Sequence, residues 1–308
     1  MVAVKRKVIQ IADSTQLVSL PRKWAKLNNV KKGDEIEVEE NNNRIIISVN
    51  KESNPERVEI DASNLGIMLT RCVHALYKRG VDEIRFTFDN PELIKKIQEA
   101  MGKEVVGFEI IDQGKNHCVA KHVTGQFEEF DPILRRIFLL LLSMGEDIAT
   151  CLKKKDYDHL QNIVFLEETN NRFTTACRRY LNRRGHTSPS KTGAMYYIVE
   201  DLEKLADEYK YLCTYFYERR KESVTVSEKT LELLSNVNQL LRDFYELFYK
   251  FDMVKLTQIA KLRKKYIEAA LTALEEAETK YDRVTLHHIL TVTQKIFNYL
   301  GPYLVMEL

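Results

Sequence analysis

Several features that would assign this 308-residue sequence to a class at once are absent. Its five cysteines are odd in number, scattered, and never spaced as Cys-x-x-Cys, which favours reduced thiols over a disulfide framework. The longest apolar run, residues 137–142, is far too short to span a bilayer. No signal-peptide pattern opens the chain. We therefore expect a cytoplasmic protein without membrane insertion.

Recognisable catalytic motifs are also missing. The chain has no Gly-x-Ser-x-Gly, no His-Glu-x-x-His and no phosphate-binding loop, and no nucleophile and base stand out as a pair. His117 and His122 lie five residues apart on one predicted strand, so they point to opposite faces and do not share a metal. We do not expect an enzyme.

The net charge of the whole chain says little about its binding partners, because 47 Lys and Arg nearly balance 45 Asp and Glu. Its distribution is uneven, since residues 1–33 carry eight Lys and Arg against one acid, Asp13. Such a cluster gives salt-dependent affinity for nucleic-acid phosphates without reading a sequence. The alternative is a solvated basic face on a module that only dimerises the protein.

The same amino-terminal segment is patterned as short strands. Residues 8–11, 17–20, 35–39 and 44–49 have strand character, and Pro21 opens a short helix between them. About fifty residues of this kind cannot bury enough surface alone, so the module is expected to dimerise.

Two short motifs stand between these strands: Leu20 and Pro21 precede two basic residues and Trp24, and two lysines precede Gly33 and Asp34. In these motifs the segment resembles the AbrB/SpoVT (MazE-like) family of swapped-hairpin DNA-binding domains. The resemblance implies an interlaced homodimer whose two hairpins form one small β-barrel, with basic side chains along DNA phosphates. It places that DNA-binding role on Lys5, Arg6, Lys7, Arg22, Lys23 and Lys26.

A polar linker, residues 51–56, leads into alternating elements. Strand 57–60, helix 65–79, strand 83–88, helix 91–101 and strands 105–111 and 117–123 follow each other. This β-α-β-α-β-β order predicts a small α/β domain over residues 56–125. The domain either senses a ligand or only braces the dimer.

The remainder is patterned as helices, with an internal repeat. At a shift of 96 residues the run from Asp156 to Leu166 aligns with the run from Asp252 to Leu262, and at a shift of 91 residues 202–209 align with 293–300. Two stacked three-helix bundles are therefore predicted, residues 130–222 and 226–305. With the module at residues 1–51, the fold class is multidomain α+β: a swapped-hairpin barrel, an α/β domain and two all-α bundles.

Polar residues are predicted to bound these helices. Asp131, Ser227 and Asp252 are expected at helix amino termini, and Asp282 is expected to precede the last helix. That helix should end just before Pro302.

The third helix of the first copy has an acidic face opposite its apolar stripe. Glu203 and Asp207 lie four residues apart on that face, and the repeat replaces them by Gln294 and Asn298. On the preceding helix the repeat replaces Glu167 by Arg263, so cation binding should be confined to the first copy.

The duplicated bundles and the run from Leu202 to Asp207 resemble the PhoU family of phosphate-uptake regulators. In that family, acids from adjacent helices hold divalent or iron ions on the bundle surface. The resemblance implies at most one such ion site here, whose candidate ligands are Glu167, Asn171, Glu200, Glu203 and Asp207. The alternative is an acidic face that is solvated or paired with lysines such as Lys204.

An AbrB-like amino terminus joined to PhoU-like bundles resembles archaeal phosphate-uptake regulators. It implies a homodimeric, DNA-binding transcriptional regulator of phosphate homeostasis, whose bundles receive a signal from a phosphate transporter or its sensor. The first rival is an interaction protein that regulates such a transporter or sensor without touching DNA. The second rival is a metal-dependent hydrolase with an open coordination site. The sequence identifies neither operator, signal nor metal.

Overall fold

The structure is a computed structural model that describes residues 5–11, 15–41, 44–49, 55–123 and 129–308. It consists of two compact units, Met1–Glu56 and Arg57–Leu308, which we describe separately. Most of the predicted linker, residues 51–54, lies outside the described residues.

The amino-terminal unit contains two antiparallel hairpins and one short helix. Its elements are β1 (Ile9–Ile11), β2 (Thr15–Leu17), α1 (Arg22–Leu27), β3 (Glu37–Asn41) and β4 (Arg44–Ser48). Strand β1 pairs with β2 and β3 pairs with β4. Among the described residues the two hairpins do not pair with each other.

A tight turn leads from α1 towards β3. Asp34 accepts a hydrogen bond from the backbone amide of Lys31 at 2.7 Å. Gly33 has a φ of 96°, in the left-handed region where a Cβ is unfavourable. The Gly-Asp pair noted in the sequence is therefore a requirement of this turn.

No residue described in this unit is fully buried. Nine of its large apolar side chains are exposed: Val8, Ile9, Ile11, Leu17, Val18, Leu27, Val38, Ile45 and Ile46. A single chain therefore supplies strands with apolar faces but no interior for them.

The second unit begins with the predicted β-α-β-α-β-β order, which the structure confirms. The elements are β5 (Arg57–Asp61), α2 (Leu69–Arg79), β6 (Glu83–Thr87), α3 (Leu93–Glu104), β7 (Phe108–Gln113) and β8 (His117–His122). The sheet order is β5-β6-β8-β7, with only β5 and β6 parallel. Side chains of α2 and α3 share a core with the sheet, built around Val73, Tyr77, Phe86 and Ile97.

Helices form the rest of this unit. The first three are α4 (Phe130–Lys154), α5 (Leu160–Arg184) and α6 (Thr192–Glu218). The next are α7 (Glu228–Tyr249), α8 (Met253–Glu275), α9 (Lys280–Asn298) and the short α10 (Leu300–Glu307).

The two sets of helices repeat each other in their buried positions. The shift of 96 also relates α4 to α7, and buried residues face buried residues: Ile137 with Leu233, Leu141 with Val237, and Ile148 with Phe244. The shift of 91 relates α6 to α9 in the same way: Ile198 with Ile289, and Leu205 with Ile296. The repeat seen in the sequence is thus a repeat of packing.

One continuous core nevertheless runs through both bundles. Where they meet, Asn238 donates a hydrogen bond to the carbonyl of Gly145 at 2.6 Å, and the Tyr209 hydroxyl donates to Asn238 Oδ1 at 3.1 Å. The Tyr299 hydroxyl of the second copy also donates to the carbonyl of Asp201 in the first, at 3.3 Å. The bundles therefore form a single packed body.

Two of the predicted helix boundaries are confirmed and three are corrected. Ser227 and Asp252 cap α7 and α8 through their side chains. Helix α4 begins at Phe130, which places Asp131 in its first turn. Thr279 caps α9, whereas Asp282 lies inside its first turn and accepts hydrogen bonds from Ser227. The chain continues through Pro302 as α10.

Gly145 lies at a close contact between the two copies. A Cβ there would lie 2.7 Å from Asn238 Oδ1 and 2.9 Å from the Tyr209 hydroxyl. We expect Gly145→Ala to lower the free energy of unfolding by about 1–3 kcal/mol through overpacking, measured by urea denaturation of the full-length chain. Gly193→Ala is the matched control, because its Cβ meets no atom within 4 Å. Equal stability of the two variants would contradict this account.

Candidate functional site

The six predicted DNA-binding residues lie in two segments of the amino-terminal unit. Lys5, Arg6 and Lys7 immediately precede β1, and Arg22, Lys23 and Lys26 belong to α1. All six are exposed. Within the described part of the chain, no carboxylate lies within 4 Å of them.

A buried arginine of α5 forms ion pairs with acids on the acidic face of α6. Arg178 forms ion pairs with Glu200 and, at 2.6 Å, with Glu203, and its side chain is 0% exposed. Burial raises the pKa of Glu203 above its ordinary value. For Glu200, burial acts in the same direction but Arg178 outweighs it, so the pKa of that carboxyl is lowered.

Further along the groove between α5 and α6, a lysine forms ion pairs with a second pair of acids. Lys210 Nζ lies 2.7 Å from Glu167 Oε1 and 2.6 Å from Asp207 Oδ1. Asn171 Nδ2 also donates to Glu167 Oε1, at 2.7 Å. Burial raises the pKa of Glu167, whose side chain is only 4% exposed. Lys210 and Asn171 act against this shift by stabilising the carboxylate form.

These contacts change how the predicted ion site is understood. The structure brings Glu167, Asn171 and Asp207 together around Lys210, and places Glu200 and Glu203 around Arg178. The expectation that the acids lie on an outward face is wrong for Glu167, because the α5–α6 groove buries it. In the described ranges, no group of three or more His, Cys, Asp or Glu side chains is arranged to hold a metal. An ion site on these residues stays a prediction, and an ion there would have to displace a basic side chain.

Sequence reasoning missed the arginines of α5 that hold the α/β part. Arg179 donates to the carbonyls of Tyr77 and Val81 at 3.0 and 2.7 Å, and pairs with Asp82 at 3.0 Å. Its guanidinium lies 4.9 Å from the centre of the Tyr77 ring. Arg183 pairs with the same carboxylate. The available signal was the run of uncharged polar residues beside the apolar stripe of α5, which indicates a helix buried on more than one side.

The second copy has a different cluster at the equivalent place. Arg263 Nη2 donates to Gln294 Oε1 at 2.5 Å, and Gln294 Nε2 donates to Asn298 Oδ1 at 3.1 Å. This cluster contains one positive charge and no carboxylate. The acids of these positions in the first copy are thus replaced in the second, and the confinement of cation binding to the first copy stays a prediction.

Comparison with known proteins identifies part of the chain. Residues 9–56 match the family described as antidote-toxin recognition MazE, bacterial antitoxin, so the predicted MazE-like amino terminus is confirmed. No curated protein matches the sequence. Among solved structures, the chain is similar to PhoU, the phosphate transport system regulatory protein of Streptococcus pneumoniae, at 16% identity and a TM-score of 0.49. That similarity covers 58% of this chain and 93% of the other. In the described part of the chain, no helix is both long and apolar enough to cross a membrane.

Replacing Lys210 tests whether this lysine neutralises a buried acid in the groove. Lys210→Met would leave Glu167 buried without its cation, and we expect the free energy of unfolding to fall by about 2–4 kcal/mol in urea. Lys204→Met is the control, because Lys204 is half exposed and lies 3.9 Å from Glu200. That control should change stability by less than about 0.5 kcal/mol. A loss of the same size in both variants would show that Lys210 does not neutralise a buried acid.

Proposed function

We propose that this protein is a homodimeric, DNA-binding transcriptional regulator of phosphate uptake, in which the helical bundles receive the signal. The observation that carries the proposal is the amino-terminal unit, which contains the MazE match over residues 9–56 and exposes six basic side chains, none of them paired with a carboxylate among the described residues. We divide the chain into four functional parts: the DNA-binding domain (residues 1–51), the α/β domain (residues 56–125) and the two helical bundles (residues 130–222 and 226–305). The proposal assigns no catalytic role to any part.

Dimerisation follows from the missing interior of the amino-terminal unit. Ile9 lies opposite Leu17, and Val38 lies opposite Ile47, so each hairpin has an apolar pair across its strands. Exposed apolar surface and unpaired strand edges of this extent favour association with a second chain. Two copies of each hairpin could then close one small barrel around a shared core.

Such a dimer would offer DNA two equivalent basic surfaces. Each subunit contributes the residues before β1 together with α1, so the dimer carries twelve of the predicted phosphate-binding side chains. Neutralising DNA phosphates releases counterions, which makes the affinity strongly salt-dependent. The two-fold symmetry of the dimer suits DNA sites made of two paired half-sites. Phosphate contacts do not specify which bases are read.

The link to phosphate rests on the resemblance of the duplicated bundles and the run from Leu202 to Asp207 to the PhoU family. By that resemblance the partners would be components of a phosphate transporter or its sensor. A divalent or iron ion would enter only in the first copy, where it would replace Lys210 between Glu167 and Asp207. The rival function, regulation by protein contacts alone, differs in predicting no affinity for DNA.

DNA binding separates these two functions. We expect the full-length protein to bind duplex DNA with a slope of log affinity against log salt steeper than about −3, because each phosphate contact contributes roughly −0.9. Arg22→Glu combined with Lys23→Glu should weaken binding at least about 100-fold at low salt. The measurement is fluorescence anisotropy with a labelled duplex at several salt concentrations.

The control makes the same charge change elsewhere. Lys264→Glu combined with Lys265→Glu alters two exposed lysines of α8 and should leave DNA affinity within about threefold. If both double variants bind DNA as the wild type does, the amino-terminal unit is not the DNA-binding surface, and the interaction protein becomes the better reading.

The dimer can be tested independently of DNA. Ile45 is 67% exposed in the single chain, and Ile45→Glu would bury a charge in the shared core. We expect sedimentation equilibrium to show a dimer for the wild type and a monomer for this variant. Val305→Glu, at a residue 63% exposed on α10, should remain dimeric. A wild-type monomer, or a dimer unaffected by Ile45→Glu, would contradict the proposed interface.

A further inference from the structure

We propose that the groove between α8 and α9 in the second copy binds a small oxyanion, a phosphate or carboxylate group, through Arg263, Gln294 and Asn298. The inference does not depend on DNA binding or on the proposed regulation of phosphate uptake. It rests on the charge, the hydrogen bonds and the open space of this cluster.

The internal repeat inverts the charge of one groove while keeping its position. At the shift of 96, Glu167 of the first copy corresponds to Arg263. At the shift of 91, Asp207 corresponds to Asn298 and Lys210 to Gly301. The first groove contains its own acids and its own cation. The second contains a cation whose counter-charge has been removed.

Open space lies at the Asn298 end of the cluster. Of the three proposed binding residues, Asn298 lines a surface cavity of about 450 Å³, together with Ala194, Tyr197, Pro302 and Val305. A Cβ added at Gly301, in α10, would also meet no atom within 4 Å.

The hydrogen bonds of the cluster leave donors without acceptors. Gln294 Oε1 and Asn298 Oδ1 already accept hydrogen bonds from within the cluster. Arg263 Nε is buried without an acceptor among the described residues. Because arginine carries five N–H donors and no acceptor, the complementary ligand is a group that only accepts, which is an oxyanion.

The guanidinium of Arg263 is both unneutralised and held in place. In the part of the chain that the structure describes, no carboxylate lies within 4 Å of it. Its central carbon lies 4.7 Å from the centre of the Phe297 ring, and the bond to Gln294 fixes its orientation. A planar guanidinium held in this way suits phosphate and carboxylate groups.

Calorimetric titration of the full-length protein with inorganic phosphate, sulfate and acetate at constant ionic strength tests the proposal. We expect saturable binding of at least one of these anions. Saturation by phosphate and sulfate alone assigns the site to tetrahedral anions, and saturation by acetate assigns it to carboxylates. No saturable binding of any of the three would overturn the proposal.

Three variants locate the binding. Arg263→Gln should weaken the affinity at least about tenfold, whereas Lys264→Gln, which removes the same charge from an exposed neighbour, should change it less than about twofold. Gln294→Glu would place a carboxylate beside Arg263 and should also weaken binding at least about tenfold while the thermal midpoint is retained. Equal effects of Arg263→Gln and Lys264→Gln would overturn the site.

The DNA-binding surface is a second place where phosphate could bind. The Arg22→Glu and Lys23→Glu double variant should keep the wild-type affinity for the small anion. Loss of anion binding in that variant would move the site to the amino-terminal unit and overturn the assignment to Arg263, whatever the outcome of the DNA titration.

Discussion

Hydrophobic burial is distributed very unequally between the two units, and the other properties of the molecule depend on this. The second unit encloses its helices around one continuous core that extends through both bundles. The amino-terminal unit has strands, turns and a helix, but none of its described residues is buried and nine of its large apolar side chains are exposed. Because apolar burial is the main favourable contribution to folding, a unit without an interior has little stability of its own. Association with a second copy is the simplest way to provide that interior.

Buried arginines organise the second unit. Arg178 and Arg179 are neighbours on α5, yet they contact different parts of the unit. Arg178 neutralises acids of α6, and Arg179 binds the α/β part through backbone carbonyls and Asp82. The pairing of the acidic groove and the attachment of the α/β part thus depend on two adjacent residues of one helix. The second bundle has an arginine without acids at the corresponding groove.

Much of the fold could be predicted from the sequence because it depends on short-range patterns. The β-α-β-α-β-β order, the helix repeat and the caps at Ser227 and Asp252 follow from periodicity and capping chemistry, and the structure confirms them. The fate of the acids could not be predicted in the same way. Helical periodicity does not indicate that Arg178 or Lys210 pairs with these acids, and only the packing of α5 against α6 shows them to be partners of Glu203 and Glu167. The single core of the two bundles also depends on a helix crossing that sequence spacing does not reveal.

In the proposed dimer, the amino-terminal hairpins acquire their interior from a second subunit. Amide hydrogen exchange of the full-length protein over a dilution series measures this dependence. We expect the protection of β1 to β4 to fall as the dimer dissociates, while the core amides of α4 to α9 stay protected. Hairpin amides that remain equally protected in the monomer would show that one chain suffices, which contradicts the proposed dimer.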